Sequence, residues 1–367
     1  MKQKQIIFFC PSIHTGGGTE RVLVNLANNL TEDHYNIKIL TNDLGTNKLF
    51  DLNSKIEITE YWFGRIKSKY PNNIFVKIVN TVLGKKILQN FLSKNTDTST
   101  HLIISFSAGI TNECIQTKYK NKLISFEHYP NWAYDKYPKV QKQIKEYYPQ
   151  LKKVITLTEH ESRTYKNIGC KVTKIPNAYS FFPAAAALLT NKKVLSVGHF
   201  NDAKRRDLLI YAWSKVVKRF PDWELIIVGD GPDKERCINL INSLDLNNSI
   251  KIKEPTKNIV SYYSNASIFV LSSEFETLPL VLIEARACGL PCVSFDIVSG
   301  PNEIINNEKD GFLVPFPNTD LMAEKICTLI SNNSLRNKFG ALARKDTHEK
   351  YNPEKIYKSW TSFLSEN

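Results

Sequence analysis

No apolar segment of the sequence is long enough to cross a bilayer, which excludes a membrane-spanning helix. The seven cysteines are scattered; the closest pair, Cys288 and Cys292, flanks Gly289-Leu290-Pro291, and no second cluster completes a metal set or a disulfide framework. They read as small buried hydrophobes in a reducing cytoplasm. The one triple glycine, Gly16-Gly17-Gly18, lacks the spacing of G-x-G-x-x-G and the Lys-Ser/Thr of a Walker loop, which excludes both common phosphate fingerprints there. A leader is not expected either: Ile6-Ile7-Phe8-Phe9, after the basic start Met1-Lys2-Gln3-Lys4-Gln5, is too short for a signal-peptide core and fits a first strand. Acidic residues are missing from Tyr61 to Thr96, where Arg65, Lys67, Lys69, Lys77, Lys85, Lys86 and Lys94 stand among Trp62, Phe63, Tyr70, Phe75 and Phe91. Such a stretch suits an anionic surface.

What is present is a chain of 367 residues, 42% hydrophobic and 11% aromatic, more than one ordinary core serves. Two domains are expected. The net charge of +13 is unevenly placed: residues 1–176 hold 26 basic against 14 acidic side chains, and residues 177–367 hold 23 against 22. The first half opens with a strand over Ile6 to Cys10, the glycine-rich loop Pro11 to Arg21, helical spacing over Val22 to Leu30 and a strand over Ile37 to Leu40, a βαβ beginning. Short apolar strands with polar C-terminal ends follow at Leu102 to Phe106, Leu123 to His128 and Val154 to Thr158. A second series runs through strands at Lys193 to Gly198, Leu225 to Val228, Val293 to Asp296 and Gly311 to Val314, with a helix over Asp207 to Val217. Ile356, Trp360 and Phe363 give the tail from Tyr351 to Phe363 helical spacing.

The stretch around which the rest is organised is Ile268 to Pro291. Ile268-Phe269-Val270-Leu271 has the unbroken apolar character of a strand buried on both faces. A polar turn, Ser273 to Pro279, leads into a helix from Leu280 to Ala287 that stops at Gly289-Leu290-Pro291. Strand, turn and helix N-terminus aim backbone N–H groups and a positive dipole end at one point, which suits a phosphate or an anionic sugar. Glu276 lies on the turn, and Glu284 about one and a half turns into the helix.

This pair resembles the E-x7-E motif of retaining glycosyltransferases of the GT-B type, the group-one (family-four) class, with Thr277 where that family usually has Gly. Gly17-Gly18-Thr19-Glu20-Arg21 resembles the family's GGxER loop, Ile175-Pro176-Asn177 its interdomain crossing, and Ser299 to Ile304 its GGxxEI segment. Gly198 to Arg205 resembles GRLxxxKG, with Lys204 matching, His199 replacing Arg and Arg205 replacing Gly. The resemblance implies an α/β fold of two doubly wound Rossmann-like domains facing a cleft. Expected bounds are 1–176 for an acceptor domain, 177–345 for a nucleotide-sugar donor domain, and 346–367 for a helix returning to the first.

By the same resemblance Glu276, His128 and Lys204 carry catalysis. Gly17, Gly18, His199, Lys204, Arg205, Thr277, Leu278, Pro279, Leu280 and Glu284 hold the donor, Glu276 at the sugar hydroxyls and Glu284 at the nucleotide ribose. No metal or other cofactor is expected beside the nucleotide-sugar, since the sequence has no Asp-x-Asp, the motif on which the other main architecture holds a diphosphate-bound metal. The placement of charge favours an acceptor linked to a lipid at the inner face of the cytoplasmic membrane, with Arg65, Lys67, Lys69, Lys85 and Lys86 docking and Trp62, Phe63 and Phe75 wetting the interface. A sugar-nucleotide epimerase or a phosphorylase shares the architecture. A nucleic-acid surface would use the same basic charge but leaves the E-x7-E turn unexplained, so no nucleic-acid partner is expected.

Overall fold

A computed structural model describes residues 4–14, 17–32, 35–45 and 51–367; Thr15 and Gly16 of the glycine loop, and Met1 to Gln3, lie outside the described residues. The chain forms two compact units, Met1–Pro176 with Glu354–Asn367, and Asn177–Pro353. The first division falls at the Pro176-Asn177 crossing. The second falls after Pro353, later than the expected bound at 345/346, because the helix Asn333–Tyr351 packs within the second unit. There Arg344 Nη1 donates to the Ala287 carbonyl at 2.5 Å.

The first unit is built on seven strands: β1 (Gln5–Ser12), β2 (Asn36–Asp43), β3 (Glu57–Glu60), β4 (Thr100–Ser105), β5 (Leu123–Phe126), β6 (Lys153–Thr156) and β7 (Val172–Lys174). They lie in the order β3-β2-β1-β4-β5-β6-β7 and every pairing is parallel. Parallel strands need a crossover after each, and helices so placed cover both sheet faces. Ile6, Ile7 and Phe8 are accordingly fully buried in sequence. The tail forms a helix at Pro353–Glu366, which seats Trp360 edge-on against Phe126 with ring centroids 5.1 Å apart.

The second unit carries β8 (Lys193–Val197), β9 (Glu224–Val228), β10 (Ile250–Lys253), β11 (Ile268–Leu271), β12 (Cys292–Asp296) and β13 (Gly311–Pro315) in the order β10-β9-β8-β11-β12-β13, again parallel. The strand order reverses between β8 and β11, where the crossovers on the two sides part and leave a crevice at the strands' C-terminal ends. The expected helix at Leu280 to Ala287 has those bounds, and the one expected from Asp207 runs from Arg206 to Arg219. Its Trp213 is fully buried and satisfies its indole N–H on the Ser249 hydroxyl at 3.2 Å. The seven cysteines are free and buried; burial pushes the Cys10, Cys288 and Cys292 thiols up to about 12, which leaves them inert at neutral pH.

Candidate active site

In the second unit two loops meet at the β8–β11 switch point. The turn after β11 is tied to the turn after β8 by backbone: Glu274 N–H donates to the Ala203 carbonyl and the Ser272 hydroxyl to the Lys204 carbonyl, both at 2.8 Å. That stitching sets Lys204 opposite Glu276, and the ammonium donates to Glu276 Oε1 at 2.5 Å. Ser273 donates to the same oxygen at 2.7 Å, and the Ser299 hydroxyl holds the Glu276 carbonyl at 2.9 Å. Neither serine's role was visible in the motif alone, although Ser299 lies in the GGxxEI-like segment. Its neighbour Gly300, at φ +94°, lets that segment close on the turn: a Cβ there would lie 2.9 Å from the Thr277 carbonyl oxygen and 3.0 Å from Pro279 Cδ.

Thr277, Leu278, Pro279 and Leu280 are buried. What they offer a ligand is backbone at the start of the helix Leu280–Ala287, whose N-cap residue, Pro279, makes no side-chain capping hydrogen bond. Glu284, 1% exposed, lies deeper, and the fully buried Tyr263 donates to its Oε2 at 3.2 Å. The two carboxylates therefore differ in kind: Glu276 is held in an ion pair at the turn, Glu284 by a phenol beneath it. Tyr263 precedes the motif in sequence and carries no signal of this contact.

The remaining cations divide. Arg205 adopts left-handed backbone, φ 43° and ψ 50°, which accounts for the family's Gly at this place. Its guanidinium is engaged by both oxygens of Asp207, at 3.1 and 3.0 Å, and by Glu274 at 3.5 Å; the Asp207 hydrogen bonds raise its pKa. Both cations expected to rebuild the clamp are therefore engaged by carboxylates, Arg205 by Asp207 and Glu274 and Lys204 by Glu276. His199 is exposed beside the β9 loop, its Nε2 2.9 Å from where a Gly231 Cβ would stand. The β8 and β9 loops touch backbone to backbone, since a Cβ on Gly229 would lie 2.1 Å from the Gly198 carbonyl oxygen.

In the first unit Gly17, Gly18 and His128 line one cavity of about 400 Å3 with Phe106, Glu127 and Tyr134. Gly18 opens the helix Gly18–Glu32. Glu20 holds the glycine loop: its carboxylate accepts from the Gly17 N–H at 3.2 Å and from the Ser12 hydroxyl. His128 stacks on Phe106, 5.3 Å between centroids and 9° between planes, with Phe126 at 4.1 Å. Burial among these rings pushes its pKa down to about 3, so the imidazole is neutral at neutral pH. Burial also raises the pKa of Glu127, which accepts hydrogen bonds from Ser125 and, at 2.7 Å, from Tyr148.

On the same unit, the helices Trp62–Lys69 and Ile74–Asn95 present Trp62, Ile74, Phe75, Ile78 and Val82, each at least half exposed, beside exposed Lys69, Lys85 and Lys86. Two residues expected on that surface are not available. Phe63 is buried at 3% exposure in the core, and the Lys67 ammonium is held by both oxygens of Glu113 at 2.5 and 2.6 Å. Arg65 is exposed but pairs with Glu60 at 3.1 Å. Among the described residues, no helix is long and apolar enough to cross a membrane, and no group of three or more His, Cys, Asp or Glu could hold a metal ion.

Two parallel, doubly wound units, the second with a lysine, a carboxylate and an open helix N-terminus at its switch point, make this a glycosyltransferase of the GT-B architecture. The chain belongs to the glycosyl transferases group 1 family, whose model matches residues 181–346. It is 31% identical to an uncharacterized glycosyltransferase of Haemophilus influenzae over 98% of this chain and 100% of that protein. It is 27% identical to the amylovoran biosynthesis glycosyltransferase AmsD of Erwinia amylovora, over 98% and 99% of the two chains. In fold it is similar to a mutant of S. aureus TarM, solved with fondaparinux, alpha-GlcNAc-glycerol and UDP, at a TM-score of 0.81 and 18% identity over 99% of this chain and 100% of that one.

Proposed function

We propose that the protein is a retaining glycosyltransferase that moves a sugar from a UDP-sugar to a lipid-linked acceptor during assembly of a surface polysaccharide. The observation that carries this reading is the convergence of Lys204, Glu276 and the N-terminus of the helix Leu280–Ala287 on the β8–β11 crevice. In the reaction the bond from the anomeric carbon to the diphosphate breaks as positive charge develops on the sugar, an acceptor hydroxyl oxygen bonds to that carbon, and its proton leaves with the diphosphate oxygen. Lys204 and the helix N-terminus stabilise the departing diphosphate. Glu276 binds the sugar hydroxyls, and Glu284, oriented by Tyr263, binds the ribose. Neutral His128 offers a hydrogen bond to the transferred sugar without adding charge. The retained configuration is supported by the E-x7-E pattern, the polysaccharide product by the amylovoran relative, and the UDP by the ligand named with TarM.

The acceptor belongs to the first unit, with its reducing-end lipid at an anionic membrane face. The exposed apolar and basic residues on Trp62–Lys69 and Ile74–Asn95 support that placement, each basic residue near such a surface contributing about 1 kcal/mol. No divalent cation takes part in transfer, since Lys204 and the helix N-terminus supply the positive field, and turnover is expected to persist in a chelator. A panel of nucleotide-sugars scored for thermal stabilisation and slow donor hydrolysis tests the reading. UDP-sugars should stand out, and stabilisation by none of the panel would sink it.

A further inference from the structure

Arg206 is the first residue of the helix Arg206–Arg219 and is 2% exposed. Its Nη1 donates to the Ser196 hydroxyl at 2.5 Å, and that hydroxyl donates to the Val270 carbonyl at 2.7 Å. Its Nε and Nη2 are buried and have no hydrogen-bond partner. Removing a charged donor from water without satisfying its N–H groups is unfavourable, and buried cations are ordinarily paired. The nearby carboxylates are already engaged: Glu276 by Lys204, and Asp207 and Glu274 by Arg205.

Where the unpartnered edge lies is set by Gly198, at the end of β8. A Cβ on that glycine would stand 3.0 Å from Arg206 Nη2 and 3.7 Å from Lys204 Cε, so both cationic side chains lie against the same bare Cα. The Phe200 ring backs the guanidinium, its centroid 5.8 Å away. Charge follows the same division. The Lys204–Glu276 pair is neutral as a unit and Arg205 meets two acids, so the cluster sums to zero with Arg206 included, yet no carboxylate forms an ion pair with Arg206 itself. Burial lowers its pKa to about 10, with the Glu276 charge opposing that fall, so it stays protonated at neutral pH.

We propose that Arg206 is the second cation of the diphosphate subsite, its Nη2 donating to a phosphate oxygen on the Gly198 side when Lys204 turns from Glu276 to the same ligand. It stands in for the arginine whose place His199 occupies. The proposal rests on the reading of this unit as a nucleotide-sugar donor site. Lys204, whose Cε lies against the same glycine, is the mobile cation, and its turn to the ligand uncovers the planar guanidinium buried beside it.

The test is calorimetric titration of the full chain with UDP, UMP, uridine and inorganic pyrophosphate, comparing the natural sequence with Arg206→Met, Arg206→Gln and Arg206→Lys. A role at the phosphates predicts that Met and Gln weaken UDP and pyrophosphate by about tenfold or more, UMP less, and uridine by under about twofold, while Lys keeps UDP within about threefold. Should Arg206→Met not fold, as judged by circular dichroism, the Gln and Lys variants carry the same comparison. Equal losses for UDP and uridine mark a purely structural arginine and overturn the proposal, as does an unchanged UDP affinity. If the natural protein binds pyrophosphate but no uridine nucleotide, the UDP reading alone fails, and the pyrophosphate affinity of Arg206→Met and Arg206→Gln decides for Arg206: a loss of about tenfold supports the role and an unchanged affinity overturns it. Binding of none of the four overturns both.

Discussion

Replacing Glu276 with Gln should separate binding from turnover in opposite directions. In the free site Lys204 donates to Glu276 at 2.5 Å, and the two side chains are 20% and 11% exposed, so solvent screens the pair only in part. A charge-assisted hydrogen bond of this kind contributes about 1.5–3 kcal/mol net. A diphosphate that recruits Lys204 must draw it from Glu276, so an energy of that order is subtracted from donor affinity. Gln keeps the size of the side chain and its hydrogen bond from Ser273 but drops the charge that competes for Lys204. UDP should therefore bind about tenfold tighter to Glu276→Gln, the low end of the range, since about 1.4 kcal/mol is a factor of ten. Turnover should fall by about a hundredfold, because an amide accepts weakly from the sugar hydroxyls as positive charge develops on the ring. Lys204→Met should weaken UDP by at least about tenfold, and the double variant should match Lys204→Met, since Glu276 acts on UDP only through the lysine. Titration of UDP with a coupled assay of UDP release reads both quantities. If Glu276→Gln weakens UDP as much as Lys204→Met does, the carboxylate only scaffolds the turn and the exchange argument is wrong.

Two further outcomes are expected. In flotation with anionic and neutral vesicles, the protein should partition to the anionic ones at low salt, and Lys69, Lys85 and Lys86 to Ser together with Phe75→Ser and Val82→Ser should abolish this without changing UDP binding; equal partition between the vesicles would remove the membrane claim. His128, with its folded pKa near 3 against about 6.5 when unfolded, is neutral throughout the working range. Its contribution to stability is complete above about pH 6.5 and is lost as pH falls toward 3, because only the unfolded ring takes up a proton there. The kcat profile should thus lack an inflection near pH 6.5 that disappears in His128→Asn, while the acid limb of thermal stability should flatten in that variant.

Which parts were readable from the residues follows from how each is buried. Ile268–Leu271 lies inside the sheet with both faces covered, so every position must be apolar and the run declares itself. Glu57–Glu60, Val172–Lys174 and Ile250–Lys253 are edge strands, none fully buried, and they leave no such run. The turn from Ser273 to Pro279 is specified locally, by a strand ending and a helix beginning, and its motif was legible for that reason. Lys204 and Glu276 meet only because β8 and β11 are neighbours across the reversal of strand order, which no spacing announces. The surface went astray differently. Composition over Tyr61 to Thr96 does not distinguish faces, but helical period does: Phe63 and Lys67 stand four apart on Trp62–Lys69 and turn inward together, to the core and to Glu113. Arg205 and Arg206 sit side by side in a run that reads as solvated charge. The left-handed turn at Arg205 commits its side chain to Asp207 and sends the next one under Gly198, so adjacent identical residues acquire opposite environments from one backbone angle. Only the conformation at Arg205 separates the arginine held by Asp207 from the one buried beneath Gly198 with two donors unpartnered.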